Sequence, residues 1–175
     1  MFATIYVPDF FLQAVARHQG FAPSTPVALI DEKETKAVII QLNEAAKTAG
    51  VRLGMVPSQG LARCLNLLVR PRSPAKEESL ANVILQYAFT LSPYVEATAS
   101  GIWTIQFTDN RDLAAKLLRV IQKLAECEVT AQAGIAPAPD TSFLAAHLAR
   151  PVLQVDDPEE FLAPLSIDIL AIPGS

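Results

Sequence analysis

Carboxylates near the ends of predicted strands are the side chains of this sequence best placed for chemistry, because several together can hold divalent cations. Asp9 follows the first predicted strand, Glu96 lies in a later strand, and Asp109 lies in a turn before a helix. Each also has a simpler interpretation. Asp9 can cap the helix that follows it, while Glu96 can face solvent and Asp109 can belong to the turn alone. The sequence leaves both interpretations open.

Basic residues form one local cluster, whose charge could serve either solvation or phosphate binding. Its members are Arg63, Arg70, Arg72 and Lys76. The chain as a whole has a formal net charge of −4 and a pI near 5.2, whereas phosphate contacts dominate the affinity of proteins for nucleic acid. We therefore expect the cluster to be a solvated face and the chain by itself to bind DNA weakly.

The two histidines, His18 and His147, lie on separate predicted helices with no cysteine or acidic cluster beside them. This placement argues against a metal or catalytic role. We expect both to be surface or boundary residues.

Hydrophobic periodicity and turn residues predict the elements that position these groups. The predicted strands cover residues 2–8, 27–30, 37–41, 94–98, 102–107, 128–135 and 152–155. Predicted helices cover residues 10–19, 140–150 and 158–170, with others after Asn43, Pro57, Ser73 and Asn110. Prolines interrupt residues 21–72 at intervals, and this pattern predicts an inserted small α/β lobe. Without that insertion, the order of elements predicts an α+β fold with a ferredoxin-like sheet.

The strands around the turn at Ser100-Gly101 form a predicted hairpin. Alternation places Trp103, Ile105 and Phe107 on one face of its second strand, and Ile102, Thr104 and Gln106 on the other, exposed face.

Composition is that of a globular protein, with 175 residues, of which 51% are hydrophobic and 18% charged. No uninterrupted apolar stretch reaches the ~18 residues of a membrane span, and the first residues lack the features of a signal peptide. We expect a cytoplasmic protein with no membrane partner.

Several sequence blocks, in order and at matching spacing, resemble the Y-family translesion DNA polymerases. The opening block, residues 3–15, resembles the first strand and helix of the family's palm. The most specific block runs from Val38 to Met55 and contains Asn43-Glu44-Ala45-Ala46-Lys47, which resembles the fingers signature. Tyr94-Val95-Glu96, Gly134-Ile135-Ala136 and residues 145–151 resemble later palm segments, and residues 161–167 resemble the entrance to the thumb.

The resemblance implies a domain organisation that covers essentially the whole chain. Residues 1–20 and 73–160 would form a ferredoxin-like palm, and residues 21–72 the fingers-like insertion. Residues 161–175 would be the start of a thumb that is cut short.

Carried over by position, the family's metal-binding carboxylates are almost all replaced. The first aspartate of the family corresponds to Val7, and the second acidic position is still Asp9, a possible residual metal ligand. The later acidic pair corresponds to Gly101 and Ile102. Two Mg²⁺ ions that clamp attacking and leaving oxygens need several carboxylates, and these residues cannot supply them.

The positions that contact the incoming nucleotide in the family are also changed. The steric-gate aromatic residue corresponds to Leu12. The tyrosine and arginine of the triphosphate site correspond to Glu44 and Lys47, of which only Lys47 has a sign suited to phosphate, while Glu44 would repel it. A palm lysine corresponds to Phe143.

The pattern of losses resembles the catalytically silent ImuB-type members of the bacterial damage-inducible mutasome. This resemblance implies an accessory scaffold in DNA repair without a cofactor. The implied partners are damaged DNA, held weakly by this chain, a RecA-like accessory protein, an error-prone polymerase and the sliding clamp. It also implies a bacterial cytoplasmic location at the nucleoid.

Two other interpretations stay open. One is an active nucleotidyltransferase whose unusual Mg²⁺ site uses Asp9, Glu96 or Asp109. The other is a module that binds nucleotide without chemistry.

Overall fold

The computed structural model describes residues 1–22, 24–32 and 37–166, and the chain divides into two compact units. The first unit comprises Met1–Pro8 and Val83–Ser175, and the second comprises Asp9–Asn82. The strands are β1 (Phe2–Tyr6), β2 (Val27–Asp31), β3 (Val38–Leu42), β4 (Leu68–Pro71), β5 (Tyr94–Ala99), β6 (Ile102–Gln106), β7 (Gln132–Ala136) and β8 (Val152–Gln154). The helices are α1 (Phe10–Ala16), α2 (Glu44–Thr48), α3 (Pro57–Arg63), α4 (Pro74–Phe89), α5 (Leu113–Glu126), α6 (Pro139–Leu148) and α7 (Pro158–Leu162). The palm, fingers and thumb boundaries given above remain predictions.

A five-stranded sheet of order β5-β6-β1-β7-β8 forms the centre of the first unit. Its neighbouring strands are antiparallel except for β7 and β8, which are parallel. The four strands β5, β6, β1 and β7 have the order of the split β-α-β motif, and β8 is added beside β7. The predicted α+β class with a ferredoxin-like sheet is therefore confirmed.

Apolar periodicity explains helix α5 and one face of the sheet. The buried residues of α5 recur at helical spacing and are Leu113, Leu117, Val120, Ile121 and Leu124. On β6, Trp103 and Ile105 are buried as predicted. The predicted exposure of Ile102 is wrong, since it is only 8% exposed. Ile102 is opposite Tyr6 of β1 and Ala99 of β5 in the sheet, so neighbours flank it on both sides.

Helix α6 approaches the sheet closely because Gly134 on β7 has no side chain. A Cβ at Gly134 would lie 2.2 Å from the Ala146 nitrogen and 2.3 Å from the Ser142 oxygen, both backbone atoms of α6. Beside it, the Thr4 and Ser142 hydroxyls form a buried hydrogen bond of 2.8 Å. Gly134 and Thr4 are opposite each other in the sheet register, so α6 covers the β1 and β7 side of this face.

The second unit contains a three-stranded sheet of order β3-β2-β4, antiparallel between β2 and β3 and parallel between β2 and β4. Asn43 joins the sheet to α2. Its side-chain oxygen accepts hydrogen bonds from the backbone nitrogens of Ala46 and Val27, each at 3.0 Å, and its amide donates to the Thr25 carbonyl at 2.7 Å. The predicted start of a helix after Asn43 is confirmed.

Some predicted elements were wrong or misplaced. Strand β4 was missed because Pro71 at its end, among arginines, reads as a loop signal. Strand β7 begins at Gln132, later than predicted, because Glu128 has a left-handed backbone with φ of 60°. Helix α7 ends at Leu162, whereas residues 167–170 of the predicted helix lie outside the described residues.

The helix starts expected at two aspartates also differ. Asp9 precedes α1, but its backbone is left-handed, with φ of 48°, and its side chain makes no capping hydrogen bond. Asp140 lies in the first turn of α6, and Ala138 occupies the N-cap position because Pro139 already begins the helix. Within the described residues, no helix is both long and apolar enough to cross a bilayer.

Candidate functional site

The end of β1 meets the turn between β5 and β6, where the resemblance places the former metal positions. The Val7 backbone nitrogen donates a hydrogen bond of 2.8 Å to the Gly101 carbonyl. Gly101 has a φ of 82°, a conformation that glycine adopts without strain. The next pair along the two strands is Tyr6 and Ile102. The structure thus brings Val7, Gly101 and Ile102 together at one end of the sheet.

The chemistry of these three residues does not fit a magnesium ion. Val7 is 1% exposed and Ile102 is 8% exposed, and their side chains are hydrocarbon, whereas Gly101 has none. Mg²⁺ needs oxygen ligands in near-octahedral geometry. No side-chain oxygen comes from any of the three positions, so their side chains cannot hold a magnesium ion.

Phe143 belongs to a small aromatic cluster with Tyr6 and His147. The sequence did not predict this cluster, and its only signal was the spacing of four residues between Phe143 and His147. The His147 ring stacks on Tyr6 with centroids 3.9 Å apart and lies 4.4 Å from the Phe143 ring. His147 Nδ1 lies 2.9 Å from the Phe143 carbonyl, which makes Nδ1 the protonated nitrogen of a neutral ring. Burial lowers the pKa of His147. This histidine is half-buried and packed, as expected of a boundary residue.

The second unit holds the charged candidates Asp9, Glu44 and Lys47. Lys47 Nζ lies 2.7 Å from Glu44 Oε1 on the exposed surface of α2. The hydrogen bond that Lys47 donates to Glu44, and to a smaller extent the charge of Asp9, raises the pKa of Lys47. Loss of hydration raises the pKa of Asp9. The positive charge of Lys47 lowers this pKa, and the negative charge of Glu44 raises it. The ammonium of Lys47 is therefore already paired with a carboxylate.

Leu12 lies in the apolar core of the second unit. It is 6% exposed and packs in a cluster with Val15, Val27 and Leu29. Its backbone nitrogen donates a hydrogen bond of 2.8 Å to the side-chain oxygen of Gln41, which ties α1 to β3. As placed, Leu12 contributes to packing within its own unit.

The other acidic candidates, Glu96 and Asp109, stand apart from any cluster that could hold a cation. Glu96 is exposed on β5, opposite Thr104. Asp109 pairs with Arg111 at 3.1 Å, and that partner lowers the pKa of Asp109. Across the described part of the chain, no three histidine, cysteine, aspartate or glutamate residues converge in a way that could bind a metal.

Arg72, in the basic cluster of the sequence, is packed and paired, contrary to the expectation of a solvated face. Its guanidinium lies 3.8 Å from the centre of the Phe11 ring. It makes two hydrogen bonds to the Glu77 carboxylate, at 2.7 and 3.0 Å, and one of 3.4 Å to Asp31. A guanidinium fits this role because it stacks on rings and binds a carboxylate with two parallel bonds.

Solved structures with the same architecture define the class of fold. An insertion ternary complex of Dbh DNA polymerase aligns with a TM-score of 0.82 at 18% identity, covering 99% of this chain and 54% of that one. DinB from Sulfolobus solfataricus aligns with a TM-score of 0.77 at 19% identity, with the same coverages. The fold is that of the palm and fingers region of Y-family DNA polymerases.

Sequence comparison supplies the family itself. The model of the impB/mucB/samB family matches residues 5–147, and the chain belongs to that family. It is 25% identical over 154 residues to a DNA polymerase IV of Ralstonia nicotianae and 28% identical over 163 residues to one of Shewanella halifaxensis. These alignments cover 83% and 85% of this chain but 43% and 44% of the relatives, so the chain spans less than half of their length.

Proposed function

We propose that this chain is a non-catalytic member of the family, of the ImuB type, that serves as an accessory scaffold in DNA repair and translesion synthesis. Its palm and fingers would be kept as a framework, and another polymerase would carry out synthesis. Implied partners are damaged DNA, a RecA-like accessory protein, an error-prone polymerase and the sliding clamp. The two curated relatives are both named DNA polymerase IV.

The observation that carries the proposal is the hydrocarbon end of β1. Val7 and Ile102 are buried, and Gly101, hydrogen-bonded to Val7, has no side chain. Catalysis with two metals needs protein carboxylates at these adjoining positions. Carboxylates are absent both at Val7 and at Gly101 and Ile102, which belong to two separate segments of the chain. A compensating change at one residue would not restore both sets of metal ligands.

The charges near α2 support the same conclusion for nucleotide binding. A triphosphate at Lys47 would have to displace Glu44 from its 2.7 Å ion pair and would then face the carboxylates of Glu44 and Asp9. Like charges at close range are costly. Lysine also lacks the two-pronged contact that arginine makes with phosphate.

Primer extension tests the proposal, using the complete reading frame that encodes this chain with magnesium or manganese. We expect no nucleotide addition with either metal, while a Y-family polymerase with its carboxylates intact extends the same primer. Nucleotide addition that Asp9→Ala abolishes would overturn the proposal and establish a nucleotidyltransferase with an unusual metal site. Asp112→Ala is the matched control, because Asp112 also precedes a helix with a left-handed backbone and no capping bond.

Calorimetric titration with deoxynucleoside triphosphate tests the remaining interpretation, a module that binds nucleotide without chemistry. We expect no detectable heat. Saturable binding that Lys47→Ala removes would show that the nucleotide site persists and would limit the proposal to the loss of catalysis.

A further inference from the structure

Helix α5 exposes a row of residues with the spacing of a coiled-coil contact face. Its buried residues lie in the core of the first unit, where α5 packs against β7 and β8. On its solvent side, four exposed residues follow one another at intervals of three, four and three. These are the intervals of heptad positions a and d, through which two helices pack. This outer row consists of Ala115, Leu118, Gln122 and Ala125.

Leu118 is the side chain of the outer row that a second helix would bury. It is 38% exposed, whereas the other leucines of α5 are buried. Ala115 and Ala125, at the two ends of the row, have small side chains and allow a second helix to approach the backbone of α5 closely. The row thus offers one large apolar contact between two points of close approach.

A basic stripe borders the outer row. Lys116, Arg119 and Lys123 follow one another at intervals of three and four, so they lie along one side of the helix. Arg119 comes directly after Leu118 and therefore occupies heptad position e, from which a charged side chain reaches a partner helix. The only acidic residue of α5 is Glu126, which pairs with Lys123 at 2.8 Å.

This local charge is opposite in sign to the charge of the chain, which is −4. Arg119 is exposed, and among the described residues it has no ion-pair partner. Lys116 takes part in no ion pair within the described chain, although its charge helps to lower the pKa of Asp109. Positive charge that the chain itself leaves uncompensated is available to an acidic partner.

Charge and apolar exposure together identify the kind of partner. A second copy of α5 would place two basic stripes beside one interface, where like charges repel. Nucleic acid phosphates would use the basic stripe and leave Leu118 in water. A helix with leucines on one side and carboxylates beside them matches both features, since its leucines cover Leu118 and its carboxylates pair with the stripe.

We propose that the outer row of α5 docks an acidic amphipathic helix of a partner protein, with Leu118 as the apolar anchor and Arg119 as the main charge contact. The proposal does not depend on the proposed function, because it uses only residues of α5. None of these residues belongs to the end of β1.

Fluorescence anisotropy with a labelled synthetic peptide tests the surface in this chain. The peptide has about three heptads, with leucine at a and d and glutamate at e and g, so that repulsion between glutamates disfavours pairing with itself. We expect saturable binding. Leu118→Ser should weaken it about tenfold, because a buried leucine contact is lost. Arg119→Glu should also weaken it about tenfold, because like charges then face each other.

Arg63→Glu and Leu65→Ser are the matched controls, and we expect both to bind the peptide as the wild type does. Arg63 is an exposed arginine of α3, and Leu65 is 92% exposed just after that helix, so neither belongs to α5. Circular dichroism checks that all four variants keep the fold. A peptide with lysine in place of every glutamate should bind the wild type poorly.

Three outcomes would overturn the proposal. The first is no saturable binding, or an equal loss in the controls. The second is a loss with Arg119→Glu but none with Leu118→Ser, which would indicate attraction of charge alone, as for nucleic acid. The third is self-association in analytical ultracentrifugation that Leu118→Ser abolishes, which would assign the row to a second copy. None of these results changes the primer extension experiment, which reports on the metal positions.

Discussion

At the scale of single residues, hydrocarbon side chains limit the chemistry that the end of β1 can perform. The backbone geometry there is that of paired strands, with Val7 hydrogen-bonded to Gly101 at 2.8 Å. The side chains of Val7 and Ile102, in contrast, are buried hydrocarbon, and Gly101 in the turn has no side chain. An isopropyl group buried in this way stabilises the fold through the hydrophobic effect, whereas a carboxylate in its place would need a cation or hydrogen bonds to offset burial.

His147 gives a residue-scale prediction about pH. Burial lowers its pKa in the folded chain below the ordinary 6.5, so the unfolded chain takes up a proton first as the pH falls. The stability that the neutral ring contributes is present above pH 6.5 and is lost progressively below it. We expect the free energy of unfolding in urea to decrease between about pH 7.5 and about pH 5.5.

One variant isolates this effect. His147→Phe keeps a ring beside Tyr6 and should remove the histidine's share of the decrease. Identical pH profiles for His147→Phe and the wild type would contradict the assignment.

At the scale of elements, the approach of α6 to β7 depends on Gly134. A methyl group there would overlap backbone atoms of Ser142 and Ala146, which cannot move without the whole helix. We expect Gly134→Ala to lower the free energy of unfolding by about 1–3 kcal/mol, the usual cost of overpacking. Chemical denaturation followed by circular dichroism measures the change.

Gly60→Ala is the matched control for this element. Its added methyl would meet only the ends of flexible side chains, Leu67 at 2.9 Å and Ile39 at 3.0 Å, and alanine favours a helix over glycine. We expect a smaller loss of stability than in Gly134→Ala. If Gly60→Ala cost as much or more, backbone contact would not be the reason for glycine at residue 134.

At the scale of the whole molecule, the negative net charge limits the affinity for duplex DNA. The chain has a net charge of −4, and the basic-cluster residue Arg72 is engaged by Glu77 and Asp31. Since duplex affinity comes chiefly from phosphate contacts, we expect weak binding of a mixed-sequence duplex in anisotropy titrations. Tight binding near 0.15 M salt would contradict this expectation.

Local patterns in the sequence were sufficient for much of the fold. Periodicity predicted α5 and the β5-β6 hairpin, and Asn43 predicted the start of α2, because these features depend on residues close along the chain. Capping at Asp9 was wrong because backbone conformation decides whether a carboxylate can reach the helix. Strand β4 was missed because only its parallel neighbour β2 makes it a strand.

The candidate site, like the fold, was predictable from the sequence only in part. Residue types at Val7, Gly101 and Ile102 already showed that these positions carry no carboxylate, since the functional group is a property of the side chain alone. That these residues meet depends on strand register. The register of β1 against β6 pairs residues about a hundred positions apart, such as Phe2 and Gln106, so only the tertiary structure could decide it.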